Sequence, residues 1–231
     1  LNQLLAKIEQ SANNMEFLPS FGRKRARGLS SAQKENLEVL YQKYGVGVPS
    51  ESPHELFDNR YEKIFFEIGF GQGEHLIQNA KKNPDIGFIG CDPFENGVAS
   101  LLKKIEEEKL ENILVYKGDA RILLQQFLPN TISRFYVLFP DPWTKKRHHK
   151  RRILSEKFMK YLCTDQPGEL MFATDCEDYM ISVLEICDKL GLEYIRDFNV
   201  LTTQPEWFLG SRYQQKAAEK GSKCYYNCIK L

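Results

Sequence analysis

The sequence predicts an α/β fold in which a mostly parallel, seven-stranded sheet is covered by helices on both faces. Three observations carry that expectation. Short apolar runs suited to strands alternate with segments of helical periodicity through the body of the chain. Strict alternation requires crossover connections, which make neighbouring strands parallel and bury them on both sides. A glycine-rich turn and a series of lone acids then fall at strand ends, where such sheets hold their ligands.

The first strand is Ile64-Phe65-Phe66-Glu67-Ile68, followed by the turn Gly69-Phe70-Gly71-Gln72-Gly73 and a helix from near Glu74 to Lys81-Lys82, ahead of Pro84. Ile86 to Asp92 forms the second strand, and Val98, Leu101, Leu102 and Ile105 lie in helical step after it. Ile113-Leu114-Val115-Tyr116 is the third, leading into Gly118-Asp119-Ala120-Arg121 and a short helix with Leu123, Leu124 and Phe127. Phe135-Tyr136-Val137-Leu138-Phe139 is the fourth, and a helix through Phe158, Tyr161 and Leu162 connects it to the fifth, Leu170 to Asp175. A helix with Tyr179, Val183, Leu184 and Cys187 in step follows. Glu193 to Val200 reads as a sixth strand and Lys223 to Lys230 as a seventh.

Ahead of this body, residues 1–58 form a basic arm and one helix, and residues 59–231 form the main domain. Ser30-Ser31-Ala32-Gln33 is a capping-box pattern. It opens a helix with Leu37, Leu40, Tyr41 and Tyr44 on one stripe, stopped by Gly45. The 231 residues suffice for one large domain with an appendage, and a 42% apolar fraction is that of a globular protein. No apolar run is long enough for a signal peptide or membrane span. Six cysteines without CxxC or paired-histidine spacing indicate a reduced, cytoplasmic protein with no metal site.

A net charge of +1 conceals an uneven distribution. The arm carries Arg23, Lys24, Arg25 and Arg27; residues 141–152 carry Lys145, Lys146, Arg147, Lys150, Arg151 and Arg152 against the single acid Asp141. An acidic body with two basic patches suits a polyanionic partner.

The glycine turn narrows the ligand. A dinucleotide fingerprint needs a small third residue, but that position is Glu74. Glu67, Asp92 and Asp119 end successive strands, and a pyrophosphate beside three carboxylates would be repelled by several kcal/mol. A ligand carrying a sulfonium, an ammonium, a ribose diol and an adenine amine meets no such penalty. The pattern is therefore that of an S-adenosylmethionine (SAM) site. Asp92 takes the ribose hydroxyls, Asp119 and the Ala120 amide lie beside the adenine, and Glu67 faces the methionine end. Gly69, Gly71 and Gly73 let the backbone approach.

These residues, together with Phe139-Pro140-Asp141-Pro142-Trp143-Thr144-Lys145-Lys146-Arg147-His148-His149-Lys150-Arg151-Arg152 and Phe172-Ala173-Thr174-Asp175, resemble the bacterial-type tRNA (guanine-N7)-methyltransferases over about residues 20–231. The resemblance implies a Rossmann-like class I methyltransferase fold with an antiparallel last strand, and methyl transfer from SAM to N7 of a guanine in the tRNA variable loop. It implies cofactor contacts at Glu67, Asp92, Asp119 and Asp141, a catalytic role for Asp141, and substrate contacts at Lys145 and Asp175. A further substrate motif matches Ser211-Arg212-Tyr213-Gln214, where Gln214 departs from the family's Glu. The partner implied is tRNA, with no membrane; a monomer and a homodimer both remain open.

Guanine N7 has an in-plane lone pair and no proton, so the expected chemistry is positioning and charge stabilisation, not deprotonation. Asp141 or Asp175 would accept from guanine N1–H and N2, with Trp143 or Tyr213 as a stacking face. The basic residues at 23–27 and 146–152 would meet tRNA phosphates. Two alternatives stay open: a class I methyltransferase acting on another RNA or a protein, and a non-catalytic RNA-binding protein with this fold.

Overall fold

The computed structural model describes residues 17, 21–22, 28–46, 52–219 and 221–231. Its centre is a six-stranded sheet: β1 (Ile64–Ile68), β2 (Gly87–Cys91), β3 (Ile113–Tyr116), β4 (Arg134–Leu138), β5 (Glu169–Thr174) and β6 (Tyr225–Lys230). The spatial order is β3-β2-β1-β4-β5-β6; β6 alone runs antiparallel, pairing Glu169 with Lys230 through to Thr174 with Tyr225. β1 and β2 are buried at every position, as strands covered on both faces must be.

Successive side chains serve opposite cores. Ile64, Phe66 and Ile68 point into one cluster with Phe135, Val137 and Phe172, closed by α5 (Glu156–Asp165) and α6 (Glu177–Leu190). Phe65, Phe88, Tyr136 and Met171 point into the other, closed by α2 (Glu74–Lys82) and α3 (Glu95–Glu108). Each fully buried side chain of this size contributes about 1.5–3 kcal/mol of transfer free energy.

The expected sixth strand does not form, and the sheet has six strands, not seven. Glu193 makes one antiparallel bridge to Lys230, and then the Asn227 side chain takes over from the ladder. Its Nδ2 donates to the Ile195 carbonyl at 3.0 Å and its Oδ1 accepts from the Ile195 amide at 3.0 Å. With its backbone satisfied by a buried amide, the segment is released from strand geometry. Asp197 then accepts from the Asn199 amide and caps a short helix, α7 (Phe198–Leu201).

At the other edge lies α1, which runs Ser31–Glu35, then a π-type segment Asn36–Leu40, then Tyr41–Tyr44. The capping box forms reciprocally: the Gln33 amide donates to Ser30 Oγ and the Ser30 amide to Gln33 Oε1. Tyr44 is buried in the second core, and Lys43 pairs with Glu106 on α3 at 2.7 Å. The Lys117 amide donates to Tyr41 Oη and the Val46 amide to the Val115 carbonyl, so α1 covers the open edge of β3. Among the described residues no helix is long and apolar enough to cross a membrane.

Candidate active site

Strand order reverses between β1 and β4, and there the carboxyl ends of β1 to β4 border a cleft of about 800 Å³. The first wall is the glycine turn. Gly69, Gly71 and Gly73 all have positive φ (76°, 60° and 76°), a conformation that side chains with a Cβ rarely adopt. Close packing sets a second constraint: a Cβ on Gly97, at the start of α3, would lie 1.9 Å from the Gly71 carbonyl oxygen. The turn is thus fixed from behind: the Gly69 amide donates to the Cys91 carbonyl and the Gly73 amide to that of Phe70, and only the Gly71 amide is left for an acid.

Asp92 shows the result. Its Oδ2 accepts from the Gly71 amide and its Oδ1 from the Phe94 amide, each at 2.8 Å. The side chain lines the cleft yet is largely buried, and burial pushes its carboxyl up to about 6 despite those two amides; Glu67 and Asp141 add to the rise. Asp119 caps α4 (Ala120–Leu124) and is clamped by the buried Arg121, whose Nε donates to Oδ1 at 2.9 Å and Nη2 to Oδ2 at 2.6 Å. Ala120 and Arg121 line the cleft beside it.

Glu67 is placed differently. It is buried behind the glycine turn, with Oε2 at 2.9 Å from His75 Nδ1, and is not among the residues lining the cleft. His75 is held by Asn79 Nδ2 at 3.0 Å from Nε2, by stacking on Phe208 and by the edge of Tyr136.

The opposite wall is the turn after β4. Phe139 and Trp143 both have positive φ (51° and 46°), unusual for bulky residues and a store of local strain around Pro140-Asp141-Pro142. The turn is held at each end. The Phe139 amide donates to the Ala173 carbonyl at 2.7 Å, and Arg152 Nε donates to the Pro142 carbonyl at 2.8 Å. Arg152 is itself buried: Nη1 donates to Ser182 Oγ, Nη2 pairs with Asp178, and the guanidinium lies 4.6 Å from the Tyr179 ring centroid. Asp141 projects from this frame into the cleft, exposed, with no hydrogen-bond or salt-bridge partner among the described residues.

The basic stretch then separates into parts. Lys145, Lys146, Arg147 and Lys150 are exposed around the 3-10 turn Lys146–Arg151, and none makes a salt bridge among the described residues. Arg151 instead faces the cleft between two rings, 4.8 Å from the Phe21 centroid and 4.9 Å from that of Trp143, with Nε buried and without a hydrogen bond. Arg152 sits apart from the shelf, with all three guanidinium nitrogens engaged. Arg23, Lys24, Arg25 and Arg27 lie outside the described residues.

The third wall is α8 (Arg212–Glu219). Ser211 Oγ accepts from the Gln214 amide at its start. Tyr213 is half-exposed and lies over the glycine turn, its Cε2 3.4 Å from where a Cβ on Gly71 would stand; Lys216 follows one turn later and also lines the cleft. Tyr213 is the less covered ring, with Lys216 Nζ 5.6 Å from its centroid, whereas the Arg151 guanidinium lies 4.9 Å from that of Trp143. Gln214 turns away: its Nε2 donates to Tyr226 Oη at 3.0 Å and to Gln204. Asp175 is exposed at the end of β5, outside the cleft lining, as is Lys145. Phe21, Arg121, Ile153 and Lys216 are cleft residues that the sequence reading did not single out. Only the one-turn spacing of Tyr213 and Lys216 could have signalled any of them.

A family model described as "Putative methyltransferase" matches residues 61–227. A tRNA (guanine-N(7)-)-methyltransferase of Jannaschia sp. (strain CCS1) is 36% identical over 217 residues, covering 89% of this chain and 91% of that protein. One from Ruegeria pomeroyi is 41% identical over 175 residues, covering 74% and 73% respectively. Among solved structures, the antibiotic-resistance methyltransferase Kmr is 13% identical with a TM-score of 0.54, covering 80% of this chain and 94% of that one, a likeness of fold. The family match over most of the main domain, and relatives of this identity along nearly the whole chain, establish that the protein belongs to the tRNA (guanine-N7)-methyltransferase family.

Proposed function

We propose that this protein transfers the methyl group of SAM to N7 of a guanine in tRNA. The observation that carries the reading is Asp141: a carboxylate without a partner among the described residues, held by a strained and clamped turn between an acid-lined cleft and an exposed cationic shelf.

The cleft residues fit the cofactor. Asp92 spends one lone pair per oxygen on a backbone amide and keeps the others for a vicinal diol. A volume of about 800 Å³ leaves room for a nucleoside carrying an amino-acid side arm and for part of a base. In this reading Asp92 holds the ribose, Asp119 and Ala120 border the adenine, and Gly69, Gly71 and Gly73 allow close approach. Glu67 supports the methionine end from behind the turn.

When bound, SAM supplies an electrophilic methyl; the N7 lone pair forms the new C–N bond while the C–S electrons return to sulfur. Positive charge passes to the base and no proton is removed. Asp141, at the seam, accepts from guanine N1–H and the N2 amine, which become stronger donors as that charge develops, so it favours the transition state over the ground state. Tyr213 offers the stacking face; Ser211, Arg212, Asp175 and Lys145 would meet the substrate outside the cleft, and Gln214 would do so on leaving Tyr226 and Gln204. Lys146, Arg147 and Lys150, with the arm residues Arg23, Lys24, Arg25 and Arg27, meet phosphates; Arg151 joins them once released from its rings, and Arg152 acts by fixing the turn.

Labelled-methyl transfer to bulk tRNA lacking the modification, followed by nuclease digestion and mass spectrometry, tests this. The expected product is 7-methylguanosine. A label on another base position, or no transfer alongside intact SAM binding, overturns the reading.

A further inference from the structure

The cleft has an acidic bias, and SAM is not uniformly cationic: its amino-acid end carries a carboxylate that must also be met. Among the described residues, the charged ones lining the cleft are Asp92, Asp119, Asp141, Arg121, Arg151 and Lys216. The acids suit the diol, the ammonium and the sulfonium; a carboxylate among them needs a cation. Two of these three cations already have close protein neighbours. Arg121 is bound through two nitrogens to Asp119. Arg151 is flanked by Phe21 and Trp143.

Among the described residues Lys216 is held by a single, longer ring contact. It forms no salt bridge or hydrogen bond among the described residues, and its Nζ lies 5.6 Å from the centroid of the Tyr213 ring. Tyr213 in turn packs on Gly71, whose amide binds Asp92. The phenol of Tyr213 is pushed up by burial first, then by Asp92, Asp141 and Glu74, in keeping with its place beside two of the three cleft acids. A Lys216 side chain beside that ring reaches into the cleft from the α8 wall, where Tyr213 packs on the glycine turn. A lysine on a flexible stem, strongly hydrated until a partner arrives, is suited to a carboxylate brought in by the ligand.

We infer that Lys216 is the cation that binds the carboxylate of the cofactor's amino-acid end, with Tyr213 as the platform that directs it. The inference rests on the SAM reading of the cleft. It adds a ligand to the α8 wall at a position outside the Ser211–Gln214 motif. It also supplies a counter-charge for the cofactor's one anionic group in a cleft that carries three acids.

The test uses two probes that differ by one group: S-adenosylhomocysteine and its decarboxylated analogue, which keeps the adenosine, the thioether and the amine. Both are titrated by calorimetry against the wild-type chain, Lys216→Met and Lys216→Arg. Lys216→Met is expected to weaken S-adenosylhomocysteine about tenfold, the scale of one charge-assisted hydrogen bond, and to leave the decarboxylated analogue unchanged. Lys216→Arg is expected to restore most of the loss. Equal losses for the two probes, or no loss for either, overturn the assignment; no loss for either, joined to weaker tRNA binding, would make Lys216 a phosphate contact. Matching thermal unfolding of the ligand-free variants guards against a folding defect. A wild-type chain that binds neither probe defeats the SAM reading itself, whereas a wild type that binds both with no dependence on Lys216 defeats only this inference.

Discussion

The two walls that meet at Asp141 are built on opposite rules. On the glycine-turn side the acids are already held: Asp92 by two backbone amides, Asp119 by a two-nitrogen arginine clamp, Glu67 beside a histidine that is itself fixed. On the shelf side Lys145, Lys146, Arg147 and Lys150 stand exposed without a salt bridge among the described residues. The contrast suits the proposed division, a small ligand on one wall and a polyanion on the other. A small ligand bound in one pose gains from groups whose entropy has already been lost on folding. A long polyanion is met by charge in many registers, where hydrated, mobile cations cost nothing to keep.

Arg151 and Arg152 break the shelf's rule, and the break is the quickest way to test it. Arg152 is treated by the fold as core. Arg152→Ala should destabilise the protein by about 3 kcal/mol, because it removes several charge-assisted hydrogen bonds and strands the Pro142 carbonyl. Denaturant unfolding reads that loss. A surface-like change below about 0.5 kcal/mol would return Arg152 to the shelf.

The acid wall is sharpened by pH. Burial raises the Asp92 carboxyl to about 6, so in the ligand-free protein its ionisation opposes folding: the group's contribution is fully present below the usual carboxylate range and is lost as pH rises through about 6. Ribose binding needs the ionised form, so SAM affinity runs the other way. It should fall about tenfold between pH 7 and pH 5, and Asp92→Asn should be weaker and flat across that range. A wild-type affinity independent of pH would remove Asp92 from the ribose.

The smallest effects belong to the exposed cations. Lys146→Ala and Lys150→Ala should each flatten the slope of log tRNA affinity against log salt by about 0.7–0.9 and leave thermal stability unchanged. Filter binding at several salt concentrations checks this, and an unaltered slope would mean that the shelf meets no phosphate.

Much of this arrangement was legible in the sequence because it rests on local patterns. Apolar runs separated by helical periodicity indicated a mostly parallel α/β sheet, and the acids at 67, 92 and 119 marked the strand ends. What was not legible depends on long-range geometry. Glu193 to Val200 reads as a strand, and only the distant Asn227 side chain, by occupying the backbone of Ile195, removes it from the sheet. Two adjacent arginines read alike, yet one faces the cleft between aromatic rings and the other is buried against α6. For Lys216 the one local signal is its one-turn spacing from Tyr213; that α8 reaches the glycine turn at all depends on tertiary packing.

The central claim is that Asp141 serves the reaction at the seam of these two walls, and is not merely one more cofactor acid. The direct measurement is the single-turnover rate of methyl transfer to tRNA for Asp141→Ala, set beside a SAM titration of the same variant. The account predicts a rate reduced at least about a hundredfold, with SAM affinity weakened less than about tenfold. Equal losses in rate and affinity would contradict it and leave Asp141 as a cofactor ligand alone.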